Sequence, residues 1–210
     1  MQRQEAEEHL RVIRSLMEKA TVYRAISAPT ALIAGLLAIG AAYWGYRVEL
    51  KNFEFPTEEY RLSDDAFPLI WLCVLALVGA TNGWFLFQDA RRRGEKFISN
   101  GMKMALISLI PSHLTAAVLS VFFQEGPSVL ALIWMVFHGI GLLATSHFSP
   151  RSMTLLGWGF LLAGLGTIVA HAVAPSSVPS PHALMAITFG GFHLIYAACT
   201  WPRRTAKLAP

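Results

Sequence analysis

Long runs without charge alternate along this chain with short runs dense in it. Residues 25–46, between Arg24 and Arg47, hold no Asp, Glu, Lys or Arg, and neither do 66–88, 104–124 and 126–150. Ser152 to Pro202 is also uncharged but too long for one crossing, and the breaker cluster from Pro175 to Pro181 divides it. A helix rises about 1.5 Å per residue, so about 20 apolar residues cross the roughly 30 Å hydrocarbon core of a bilayer. The pattern predicts an all-α fold, a polytopic membrane bundle of six transmembrane helices. The spans fall at about 27–46, 66–88, 104–124, 128–148, 152–174 and 182–201, inside a transmembrane domain covering 25–202. The runs lack the polar alternation of barrel strands, which favours helices.

Charge sets the orientation. With an even number of crossings, the amino-terminal segment, the second and fourth connections and the tail 203–210 share one side, which holds 14 of the 17 Lys and Arg. Arg47, Lys51 and Arg61 lie on the other side, among seven acidic residues. The positive-inside rule then puts both termini in the cytoplasm. Tyr43, Trp44, Tyr46, Trp71 and Trp201 mark span ends, where amphipathic rings prefer the interface.

Composition agrees: 54% of residues are apolar and 14% charged, too few charges to cover a soluble surface of this size. A net charge of +4 would suit nucleic acid, but the basic residues cluster beside apolar spans, so no nucleic-acid partner is expected. Residues 1–24 lack a cleavage pattern, and the first span is expected to act as an uncleaved signal-anchor. Within this segment Leu10, Ile13, Met17 and Ala20 repeat at helical spacing. Such a helix would lie on the inner leaflet through its Arg and Lys residues, or dock a soluble partner. The basic connection Arg91–Lys96 is a second candidate contact surface.

Candidate chemistry is sparse. Cys73 and Cys199 lie in different spans near opposite faces, so no disulfide is expected, and no Cys/His metal spacing occurs. Nucleophile elbow, P-loop and HExxH motifs are missing. No acidic or basic residue lies deep in a span, which argues against ion-coupled transport.

Histidine is the exception. His113, His138 and His193 fall near the middle of the third, fourth and sixth spans. A midplane imidazole must be neutral and hydrogen-bonded to be tolerated, so each needs a partner. Packing through interhelical hydrogen bonds is the plainest role. Ligation of haem or a transition metal, and proton relay, are the others. No cofactor is the leading expectation. Beside His113, Pro111 predicts a kink near Ile107, and Ser108, Ser112 and Thr115 form a polar stripe. With Asn82, these residues could line a solute path, or the hydroxyls could satisfy the backbone that proline frees. Gly79 and Gly83 form GxxxG in the second span, and Gly157 and Gly164 recur in the fifth. Such small residues are expected to pack helices closely, mostly within one protomer, with homo-oligomer formation through Gly79 and Gly83 as the alternative.

Several stretches together resemble a family of bacterial six-helix integral membrane proteins with no established activity. They are Ile13–Glu18 leading to Ile26–Thr30, Ala90–Glu95, Phe148–Ser152 followed by Leu156–Trp158, and Phe189–His193. The resemblance implies the same architecture and a bacterial inner membrane, and it carries over no catalytic residue. Three readings follow. The first is a non-enzymatic accessory, sensory or scaffold component. The second is a small-solute transporter or channel, and the third a haem- or metal-binding redox protein.

Overall fold

The computed structural model describes residues 7–13, 27–54, 66–94, 97–98, 100–122 and 126–201. Six helices in it are long and apolar enough to cross a membrane. They are α1 (Ala28–Glu54), α2 (Ala66–Arg93), α3 (Asn100–Phe122), α4 (Pro127–Ala144), α5 (Arg151–Val173) and α6 (Pro181–Thr200). Residues 7–13 are helical too, and no strand occurs among the described residues. Helix α6 is not uniform: it is α-helical at Pro181–Met185, π-helical at Ala186–Phe192 and α-helical again at His193–Thr200.

Proline and small polar residues start the helices. Pro127 and Pro181 occupy first-turn positions, where the missing N–H would have no helical partner anyway. The Ser180 hydroxyl accepts from the Ala183 N–H at 3.3 Å, capping α6. Gly126 precedes α4 at φ 98°, a conformation that favours glycine.

Four boundaries differ from the charge-based expectation by four residues or more, among them the end of α2 at Arg93 and the start of α3 at Asn100. Helix α1 continues past residue 46 to Glu54, carrying Arg47 and Lys51 on its extra turns. Charge stops a helix from sitting in hydrocarbon but does not stop it being helical in water. Helix α4 ends at Ala144 rather than near 148. Thr145 donates its hydroxyl to the Leu142 carbonyl at 2.7 Å, and Ser149 donates to the Thr145 hydroxyl at 2.9 Å, so side chains serve the turn that follows.

Close packing follows the small residues. Ala31, Ala34, Ala38 and Ala42 are all buried along α1, which runs antiparallel to α6: Gly35 lies against Leu194 and Gly190, and Gly45 against His182. Helices α4 and α5 also approach closely. A Cβ on Gly139 would come within 2.7 Å of the Leu161 nitrogen, and one on Gly164 within 2.7 Å of Val136. Without a hydrophobic drive between helices in lipid, this backbone approach and its dispersion contacts hold the pair together. Gly157 joins the same seam, against Leu142 and Leu143.

Gly79 and Gly83 behave differently. Nothing among the described residues lies within 4 Å of a Cβ at either position, so the packing expected of them inside the protomer is not found. Helix α2 is peripheral, and no residue of its most apolar window is buried. It is anchored at its N-terminal end, where Phe67 and Trp71 pack with Leu130, Ala131, Met185 and Phe189. The main core holds Ala31, Leu142, Met153, Phe160, Tyr196 and Ala197.

Candidate functional site

The three midplane histidines meet. His113 and His138 are in direct contact, with His113 Nε2 3.3 Å from His138 Nδ1. The His138 and His193 rings lie 6.0 Å apart between centroids. Gly141 makes the first contact possible. A side chain there would collide with Ser112 Oγ at 2.5 Å and His113 Cε1 at 3.0 Å, so its absence lets α3 press its imidazole onto α4.

Hydrogen bonding fixes where the protons sit. A carbonyl only accepts, so His113 Nδ1–H donates to Leu109 O (3.0 Å) and His193 Nδ1–H donates to Phe189 O (2.8 Å). No acidic or basic residue lies at this depth, so the imidazoles are taken as neutral. His113 Nε2 is then a bare lone pair, and His138 must donate its Nδ1–H to it. That leaves His138 Nε2 bare as well. It is sealed inside the protein and has no hydrogen-bond partner among the described residues. By the same logic His193 Nε2 carries no proton. The cluster has acceptors to spare.

Aromatic rings enclose it. Phe160 lies 4.7 Å from the His138 ring and 5.7 Å from His193, and Phe189 lies 5.1 Å from His138. Phe189 also stacks on His193, with an interplanar angle of 17°. Trp134 meets His113 edge-on at 6.3 Å. On the far side of Phe189, the Trp71 indole N–H is sealed and has no partner among the described residues. Phe189 and Phe192 both sit on the π-helical part of α6, immediately before His193. Single π-turns inside α-helices recur at functional sites.

The other expected positions divide. Ser112 is buried and donates to Leu109 O at 2.9 Å, and its Oγ is 3.3 Å from His113 Nδ1. Pro111 and Thr115 are exposed on α3. Helix α3 runs unbroken through Pro111. The hydroxyls of Ser112 and Thr115 serve the Leu109 and Pro111 carbonyls, rather than the Ile107 carbonyl that proline leaves free. Ser108 is half-buried. Asn82 is half-buried on α2, its Oδ1 sealed and without a partner among the described residues. Gly157 and Gly164 support the site by holding α5, and therefore Phe160, against α4.

The geometry constrains cofactor chemistry. A porphyrin cannot stand between His113 and His138, because those rings touch. Among the described residues no group of three His, Cys, Asp or Glu side chains is arranged to hold a metal ion. Cys73 and Cys199 are free thiols on the exterior. What the site can do is accept hydrogen bonds, and through them a ligand or a proton.

Sequence reasoning missed a second imidazole setting. His182 is buried at the N-terminal end of α6 against the Cα of Gly45, 5.1 Å from the Phe67 ring and 4.0 Å from the Glu49 carboxylate. Glu49, three residues beyond Trp44-Gly45-Tyr46, was the available signal. Comparison with known proteins adds no constraint: no family model, curated protein or solved structure matches this chain.

Proposed function

We propose that this protein is a non-enzymatic, multi-pass component of a bacterial inner membrane, with both termini cytoplasmic, that senses or presents a small ligand held at the midplane histidines. One observation carries the reading: the bare, sealed Nε2 of His138 within a hydrogen-bonded imidazole cluster. An unsatisfied buried acceptor costs on the order of 1–3 kcal/mol, which a donor-bearing ligand would recover. The skewed distribution of Lys and Arg supports the orientation. Missing nucleophile and acid–base constellations support a non-catalytic role. Exposed Leu10 and Ile13 on the helix at 7–13 support a surface for lipid or a soluble partner, as does exposed Arg91 and Arg92 at the end of α2.

The test is what the protein carries. Organic extraction of protein purified gently from its own membranes, followed by mass spectrometry, is expected to yield one enriched small molecule near stoichiometry. His138→Phe, which keeps a ring in place, is expected to lose it. No enrichment over an unrelated six-span protein would remove the basis for this reading. A reporter active only in the cytoplasm, fused after Pro210, checks the orientation.

A second reading, a small-solute transporter or channel, draws on a different feature. Two grooves of about 250 Å³ each lie between α5 and α6, in opposite halves of the membrane. One is bounded by Phe192 and Leu156, the other by Met135 and Thr188. Flux of a neutral solute into proteoliposomes, sensitive to His138→Phe, would favour it over a sensory role.

A further inference from the structure

The midplane cluster leaves two imidazole acceptors, His138 Nε2 and His193 Nε2, with no donor assigned to them. Every ring around His138 is aromatic: Phe160, Phe189, His113 and His193 lie between 4.7 and 6.0 Å from it. A ligand suited to these neighbours offers an O–H or N–H donor on a flat apolar body, since rings in contact prefer offset or edge-on aromatic partners. It is uncharged, because no Asp, Glu, Lys or Arg lies at this depth to pair with a charge.

A groove on the surface of the bundle approaches the cluster. In the inner half of the bundle, the groove between α5 and α6 is lined by Leu155, Leu156, Gly159, Phe192, Ile195 and Cys199 among others. Leu155 and Ile195 are 71% and 62% exposed, so the mouth opens sideways onto the lipid-facing surface. Its volume of about 250 Å³ exceeds the roughly 150 Å³ of an apolar cavity that accepts benzene. The inner wall is Phe192, which contacts Phe160 at 5.4 Å, and Phe160 contacts both His138 and His193. Two rings in series, Phe192 and then the fully buried Phe160, therefore separate a ring-sized, lipid-accessible groove from the His138 imidazole. Phe192 belongs to the π-helical segment of α6.

We propose that the histidine cluster binds a lipid-soluble phenol, hydroquinones included, which enters sideways from the bilayer through the α5–α6 groove and donates its hydroxyl to an imidazole Nε2. The proposal rests on the reading of the cluster as a ligand site and adds the chemical class and the route.

The experiment uses the whole protein in lipid nanodiscs, with ¹⁵N-labelled histidine and three probes. These are 4-tert-butylphenol, its methyl ether 4-tert-butylanisole, and glycerol added from water. The phenol is expected to bind saturably, at least about tenfold more tightly than the ether, which has the same body but no donor. It should move the His138 or His193 Nε2 resonance. His138→Phe should erase the tenfold preference, and Gly159→Leu, which fills the groove, should weaken phenol binding while leaving the unliganded histidine spectrum unchanged. Equal binding of phenol and ether overturns the proposal, even if the His138 variant fails to fold. If glycerol alone moves the Nε2 resonances, the cluster is a ligand site for another class. If no probe moves them, the ligand-site reading falls as well.

Discussion

Replacing Gly139 by leucine is expected to destabilise the bundle by at least about 3 kcal/mol, near the upper end for single substitutions. A Cβ at that position would stand 2.7 Å from the Leu161 nitrogen and 2.9 Å from the Gly157 carbonyl oxygen. Both are backbone atoms and cannot swing aside as a flexible side chain could. The α4–α5 seam would have to open, moving Phe160 away from His138. Gly79→Leu is the matched control. It makes the same chemical change on a helix where the Cβ meets open space, and it should shift stability by less than about 0.5 kcal/mol. Reversible unfolding in mixed micelles, followed by tryptophan fluorescence, measures both. Equal losses at the two sites would show that the α4–α5 approach is not the tight contact described.

Phe160→Ala is expected to cost about 3 kcal/mol or more by the same measurement. Its ring is fully buried and touches His138, His193, Phe189 and Phe192, so its removal leaves a cavity at the centre of the site. In lipid the loss is mainly one of dispersion contacts, which is why a void is costly even without a hydrophobic drive. Phe160→Leu keeps most of the volume and should cost about 1 kcal/mol. The histidine spectrum should also change with alanine, because two imidazoles lose the ring that holds them. A small loss with an unchanged spectrum would mean that Phe160 does not organise the cluster.

The six helices were legible because hydrocarbon excludes charge, and that exclusion is written along one dimension. Arg24, Arg47, Asp65, Asp89, Lys103, Glu125 and Arg151 bound the spans with little help from tertiary structure. The depth of His113, His138 and His193 could be counted for the same reason. Their meeting could not, because it depends on how each helix is rotated relative to its neighbours. That rotation is set by Gly141 under His113 and by Gly139 against Gly157. It puts Ser112 and His113 inside, and Pro111 and Thr115 outside, within a single turn and a half of α3.

Gly79 and Gly83 are small-residue positions within a span, as Gly157 and Gly164 are, yet only the second pair has a helix across from it. Spacing alone carries no information about which helix is peripheral. The π-helical stretch of α6 left no periodicity to read. Gly190-Gly191, inside the stretch, is its nearest trace, and a glycine pair does not by itself specify a change of helical form.

The site as described needs three neutral imidazoles protonated on Nδ1, with His138 Nε2 a bare acceptor within the bundle. Solid-state NMR of ¹⁵N-histidine protein in lipid bilayers at neutral pH measures this directly, with His113→Phe, His138→Phe and His193→Phe assigning the signals. A protonated Nδ1 and an unprotonated Nε2 are expected for all three, with correlation between His138 Nδ1–H and His113 Nε2. A proton on Nε2 of His138, or an imidazolium at any of the three positions, would contradict this assignment.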